Sequence, residues 1–421
     1  AESLDIVARI EDTSLRISDA IFSASGTHVV TRPLRGSFVC CWETETGEET
    51  HRVRSPSGRL QLVAHTQQEV VFINATEAGI HVYDLQSGEV ALEKPGRFDS
   101  IDFQAASDRV IACSFQPQLV DAAPRRPGAP AYRLRRLTRF DWNTWEESDV
   151  VAMEGYSVGS VRCTKKSGRV IAREQSYGLA RCDVESLELL ADTPAHGAPI
   201  TYAEITPDGS QLVTASLDGT VVIWDAESFA KKTEFSLHAD PIVSATLHTD
   251  GKHFASADSD GVVIVWNLET GEDVATLRGL KGPIRGCSFS AFAARIVAYA
   301  RDGSWKVWQL TSGDPEELTL PQSRLRVRLA QYQPGGSKLV LLPYPPRESE
   351  AESEDSGDET TTFERYSLLL VDENENAVEL PHKYLPRVIR FTDSGNLLIT
   401  VSGNLDIDDA ETATFFDVAT G

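Results

Sequence analysis

Apolar and polar residues alternate along this chain in short runs, each bounded by Gly, Pro, Asp or Asn. Alternation over about four to eight residues is the pattern of a half-buried β-strand. The clearest stretch predicts four strands in succession, here called a to d. Ile200–Thr206 is a, Gln211–Ala215 is b, Val221–Asp225 is c, and Lys231–Phe235 begins d. Pro207-Asp208-Gly209 punctuates a from b, and Asp218-Gly219 punctuates b from c. Such residues supply the backbone conformations that tight turns require.

The same pattern recurs. Ile200–Trp224, Ile242–Trp266 and Ile284–Trp308 align without gaps, each with an Asp-Gly pair before a closing Trp. The Trp residues stand 42 positions apart. Weaker copies flank them. Val158–Thr164, Val170–Glu174 and Gly178–Asp183 read as a, b and c of one unit, and Ile101–Gln104, Val110–Phe115 and Tyr132–Trp142 as another. Leu60–His65, Val70–Ala75 and Ile80–Leu85 precede these, and Ile17–Phe22, His28–Arg32 and Phe38–Trp42 come first. On the C-terminal side the units are Arg326–Gln333, Leu339–Pro343 and Tyr366–Asp372, then Arg387–Thr392, Leu397–Val401 and Thr414–Val418.

A period of about 40–45 residues with this ending is the signature of one four-stranded unit per repeat. The Asp-Gly turns and closing Trp residues resemble the WD-repeat (WD40) β-propeller family. That resemblance implies an all-β fold, a single closed ring of four-stranded blades over residues 1–421. The best count is nine blades, with seven or eight as alternatives, against a family norm of seven. The last unit lacks a strand d, whereas the first is preceded by an orphan strand, Leu4–Ile10. The expectation is that this N-terminal strand completes the last blade, which removes two open sheet edges. A seven-blade ring with part of a second propeller is the competing arrangement. It leaves Leu4–Ile10 unexplained, because the seventh unit has its own d strand, Glu316–Leu320.

In the family, a His before strand a, a Ser or Thr in b, the b–c Asp and the strand c Trp form a hydrogen-bonded chain that stiffens a blade. Only one unit matches all four, with His196, Ser216, Asp218 and Trp224. The next has His238, Asp260 and Trp266 but Asp258 at the Ser position, and the third has Asp302 and Trp308 with Ala300 there. The resemblance makes these residues structural.

Composition narrows the function classes. The formal net charge is −23, from 40 basic and 63 acidic residues. Nucleic acid as a general ligand is disfavoured, because that binding needs phosphate-neutralising Lys and Arg. Six cysteines (Cys40, Cys41, Cys113, Cys163, Cys182, Cys287) show no metal spacing, so buried free thiols in a reducing, cytoplasmic compartment are expected. There is no apolar run long enough for a membrane span and no visible signal peptide.

Enzyme-like signals are few. Gly155-Tyr156-Ser157-Val158-Gly159 is a GxSxG string, but a β run follows it, where a hydrolase needs a helix. Asp406, Asp408, Asp409 and Glu411 offer oxygen ligands without the fixed Gly of a calcium loop. The expectation is no catalytic residue, no metal and no cofactor.

Three b–c connections carry insertions: 116–131, 345–362 and 403–413. The family places b–c loops on one face, and insertions on one face often mark the binding side of a repeat protein. Glu348, Glu350, Glu352, Glu354, Asp355, Asp358 and Glu359 crowd the second insertion, and with Asp406, Asp408 and Asp409 they form a candidate acidic lip for a cationic partner segment. Arg125 and Arg126 head a basic stretch that suits an acidic partner. The leading expectation is a non-enzymatic protein–protein interaction scaffold presenting the b–c loop face. A sensor or autoinhibitory module cut from a larger signalling protein is the alternative, and a small-molecule site in a central channel is a third reading.

Overall fold

In the computed structural model, the described residues comprise 36 strands with their shorter turns, including the unbroken stretches 196–290, 294–310, 315–344 and 366–382. The strands are numbered in chain order from β1 (Ile6–Ile10) to β36 (Thr412–Asp417). Among the described residues they form nine sheets of four strands each, with neighbouring strands antiparallel wherever the register is described. By contact clustering the chain forms two units. One comprises residues 1–54, 253–267 and 272–421, and the other 55–252 and 268–271.

The fifth sheet shows how the sequence builds a unit. Its strands are β18 (Ile200–Ile205), β19 (Gln211–Ser216), β20 (Val221–Asp225) and β21 (Lys231–Phe235). β19 and β20 are buried at nearly every position, and β21 is mostly exposed. The composition explains the gradient. LVTAS and VVIW present apolar or small residues to both faces, whereas KKTEF keeps its charges at the solvent edge. Strands buried on both faces read as continuous apolar runs rather than as alternation.

The N-terminal strand completes the last sheet. β1 pairs antiparallel with β36, Ile6 opposite Phe416 and Ile10 opposite Ala413, and the order is β1-β36-β35-β34. Here β34 is Pro386–Phe391 and β35 is Leu397–Ser402. The first sheet packs on this last one through a shared core of Ile17, Phe22, Val29 and Trp42 against Val388, Ile399, Val401 and Phe415. The Phe22 and Phe415 rings meet edge to face at 6.3 Å. Sheet seven shares a second core with sheet eight, where Val297, Trp305 and Val307 meet Val327, Leu339 and Leu341.

One irregularity repeats. Among the described registers, the pairing of the first two strands slips by one residue just after the start in seven sheets. The bulged residue is Ser18, Asp99, Gly159, Thr201, Arg285, Arg328 or Arg387. A bulge bends its strand and re-aims the side chain it carries. The insertions 116–131, 345–362 and 403–413 fall outside the described residues but for Thr412 and Ala413, which lie in β36. The strands flanking each still pair in register.

Candidate functional site

The fifth sheet holds the most complete polar chain. The Trp224 indole N–H donates to Thr214 Oγ1 at 3.0 Å, and Thr214 Oγ1 lies 2.8 Å from His196 Nε2. His196 Nδ1 is 2.7 Å from Thr220 Oγ1, which donates to Asp218 at 2.6 Å. Donor counting assigns the imidazole. Because the Thr220 proton goes to the Asp218 carboxylate, the Thr220 oxygen accepts from His196 Nδ1–H. Nε2 then carries no proton, and the Thr214 hydroxyl donates to it at 2.8 Å in preference to the Val222 carbonyl at 3.3 Å. Every donor in the chain points one way, from Trp224 to Asp218.

The charges follow. Burial is the main cause that holds His196 below its ordinary pKa, against an opposing pull from Asp218. The imidazole is therefore neutral at pH 7. Burial works to raise Asp218, but hydrogen bonds from the Thr220 side chain and backbone and from Gly197 N–H outweigh it, so its pKa is lowered.

The linking hydroxyl differs from the expected one. Ser216 was the expected link, but its Oγ donates to Ala198 O at 2.9 Å and accepts from Asp218 N–H at 3.2 Å. It fastens the b–c turn, while Thr214 joins the indole to the imidazole. Register is the reason: Trp224 stands opposite Leu212, so its ring reaches the diagonal neighbour two residues on.

That diagonal recurs. Trp266 donates to Ser256 at 2.8 Å, and Trp42 donates to Thr31 at 2.7 Å. The spacing from hydroxyl to Trp, ten or eleven residues, is a signal that the sequence carries and that a search centred on Ser216 passes over. At the seventh sheet Ala298 holds that register position beneath buried Trp308 and offers no hydroxyl. In the sixth sheet Asp258 replaces the turn's usual carboxylate. It is buried and accepts from Asp260 N–H at 3.1 Å and Val262 N–H at 2.8 Å, while Asp260 itself is exposed. Asp302 is exposed and accepts from Ser304 N–H and Oγ, which hold its carboxyl below the usual range. His238 is buried, and its carbonyl is 2.9 Å from where a Cβ on Gly219 would stand.

The other candidates stand apart. Glu348, Glu350, Glu352, Glu354, Asp355, Asp358, Glu359, Asp406, Asp408, Asp409, Arg125 and Arg126 all lie outside the described residues. Ser157 of the GxSxG string does too, but Val158 opens strand β14 (Val158–Cys163), so its successor enters a strand. His248 Nδ1 lies 2.9 Å from Asp250 Oδ2, where an imidazole N–H donates to the carboxylate and closes a turn. A concavity of about 360 Å³ lies between Ser290, Arg295, Gln309 and Glu373, where Arg295 donates to Gln309 at 2.9 Å. Among the described residues, no helix is long and apolar enough to cross a membrane.

Residues 187–225 and 230–267 match the family described as "WD domain, G-beta repeat". This chain carries WD40 repeats. The matched repeats contain the Trp224 and Trp266 hydroxyl links. Two solved structures extend the likeness over nearly the whole chain. One is the C-terminal WD40 domain of Sif2, with a TM-score of 0.56, 12% identity, and 98% of each chain covered. The other is the computationally designed Ika8 protein, with a TM-score of 0.55, 16% identity, and 98% of this chain and 99% of that one covered. At these identities the likeness speaks for the fold, an all-β architecture of four-stranded antiparallel sheets of the WD40 β-propeller type.

Proposed function

We propose that this WD40-repeat chain is a non-enzymatic protein–protein interaction scaffold, a closed ring of nine blades that offers its b–c loop face to partners. The observation that supports the reading most is the position of the insertions. Each interrupts the same connection, b to c, yet the flanking pairs β11–β12, β31–β32 and β35–β36 remain in register. In these pairs β11 is Arg109–Phe115, β12 is Arg135–Asp141, β31 is Leu339–Pro343 and β32 is Tyr366–Val371. Sequence has been added where it does not disturb the sheets, which is how a rigid frame carries variable binding loops.

The acidic insertion sets the chemistry of one partner. Seven carboxylates between Glu348 and Glu359, joined by Asp406, Asp408 and Asp409 of the neighbouring insertion, form a lip for a cationic segment. His196, Ser216, Asp218, Trp224, His238, Asp260, Trp266, Asp302 and Trp308 serve the frame rather than the partner.

The test replaces the seven acids by Ser or Gln and titrates a Lys/Arg-rich peptide against both chains. Binding that weakens on replacement and falls with added salt supports the reading, since exposed charges are screened beyond about 8–10 Å at 0.1–0.15 M. Affinity indifferent to both removes the lip.

A further inference from the structure

Sheets seven, eight and nine carry Arg at the bulge of their first strand: Arg285, Arg328 and Arg387. The strands are β26 (Ile284–Phe289), β30 (Val327–Tyr332) and β34. β26 and β30 are neighbours, since Tyr332 N–H donates to Ser288 Oγ at 3.3 Å. Sheets eight and nine are joined by Gln333 donating to Gly395 O at 2.9 Å. The bulge position thus falls on Arg in three consecutive sheets.

More cation gathers there. Arg301 follows the second strand of sheet seven, and Arg326 precedes β30. Arg326 donates through Nε and Nη2 to Asp302 O at 2.9 and 2.6 Å. Its guanidinium carbon also lies 5.1 Å from the centroid of the Tyr344 ring, and that of Arg328 lies 5.6 Å from the same ring. Arg285, Arg301, Arg326 and Arg328 are all exposed. None of the four forms an ion pair with a carboxylate among the described residues. The nearby Asp302 carboxylate is occupied by Ser304.

Carboxylates outnumber cationic side chains in this chain, 63 to 40. Here two guanidiniums are held against one tyrosine instead. Stacking keeps a guanidinium flat and reduces the rotamer freedom lost on binding. Arg326 spends its Nε–H and one Nη2–H on Asp302 O and keeps its remaining N–H groups for an oxyanion. Tyr344 is itself fixed, because its N–H donates to Arg326 O at 2.8 Å and its ring edge would be 3.0 Å from a Cβ on Gly303.

We infer that Arg285, Arg301, Arg326 and Arg328, the last two on the Tyr344 ring, form a docking surface for an extended acidic peptide segment of a partner protein. Spacing selects that occupant. Packed sheets lie about 10 Å apart, so the bulges at Arg285 and Arg328 are about one sheet spacing apart, which an extended segment covers with about three residues. A lone phosphoryl group reaches one or two of these guanidiniums, whereas carboxylates along a strand meet them in turn. This surface is separate from the acidic lip. It rests on the scaffold reading only in that its ligand is a protein segment.

The test titrates a fluorescein-labelled peptide rich in Glu and Asp into the full chain, followed by anisotropy. A matched Gln/Asn peptide and inorganic phosphate are the controls. Saturable binding of the acidic peptide alone is expected, reduced at least about tenfold by Arg326→Gln with Arg328→Gln. Arg285→Gln is expected to weaken it further, and Tyr344→Phe to preserve it, because the ring remains. A thermal melt of each variant establishes that the fold persists, and Arg328→Lys separates the fork from bare charge by retaining only part of the affinity. Unchanged affinity in the folded Arg→Gln variants overturns the inference. So does phosphate displacing the peptide at concentrations where chloride does not, which assigns the arginines to a phosphoryl ligand. Loss of cationic-peptide binding on replacing the seven acids tests the lip alone and leaves this surface unaffected.

Discussion

The buried hydroxyl of Thr400 stands diagonally across from Phe416, in the place where Thr214 meets Trp224, and it has no hydrogen-bond partner among the described residues. Leu398 pairs with Phe416 as Leu212 pairs with Trp224, so the two sites share one register. One sheet supplies an indole N–H to its hydroxyl and the other supplies a hydrocarbon edge. The two threonines should therefore respond oppositely to loss of the hydroxyl. Thr400→Val removes an unsatisfied polar group and should leave stability unchanged or raise it. Thr214→Val strands both an indole and an imidazole nitrogen and should cost about 1–3 kcal/mol. Denaturant melts of the two variants decide it; equal losses would show that the register alone does not set the energetics.

His196 makes stability depend on pH. Its pKa is lowered in the folded chain, chiefly by burial, so the unfolded state binds the proton more readily. Its contribution is complete above the unfolded value of about 6.5 and is lost as pH falls through the folded value. Asp218, also lowered, is lost at still more acid pH. Stability should decline from pH 7 toward pH 5, and less steeply in His196→Asn. An NMR titration of the His196 ring with a midpoint at or above the ordinary imidazole value contradicts this.

Gly261 sits at φ +98, and a Cβ there would come within 2.4 Å of Leu280 O. Gly282 sits at φ +73 with nothing within 4 Å of a Cβ. Both substitutions by Ala incur left-handed strain of about 1 kcal/mol, but only Gly261→Ala also drives backbone into backbone. Gly261→Ala should lower the melting temperature markedly more than Gly282→Ala, as calorimetry on the two variants will show.

The pairing of β1 with β36 predicts the effect of truncation. Deleting residues 1–11 uncovers the ladder of β36 from Ala413 to Phe416. The shortened chain should melt several degrees lower or aggregate through the exposed edge. A monomeric truncation with an unchanged melting temperature would show that the strand is dispensable.

The sequence by itself determined the strand order and the unit repeat. Both depend on local chemistry: alternation sets which residues form strands, and Asp-Gly turns set where they end. It also determined that Leu4–Ile10 was a strand without a sheet, and the structure pairs residues 6–10 of that segment with the last unit. Which hydroxyl serves which indole was decided only by tertiary structure. Thr214 and Ser216 share a face two residues apart, and the register against β20 selects Thr214. The arginine row has the same origin. Arg285, Arg328 and Arg387 stand 43 and 59 residues apart, so no fixed period links them. They become equivalent because each occupies a bulge at the start of its sheet. A bulge is a property of two paired strands, and one strand's sequence does not contain it.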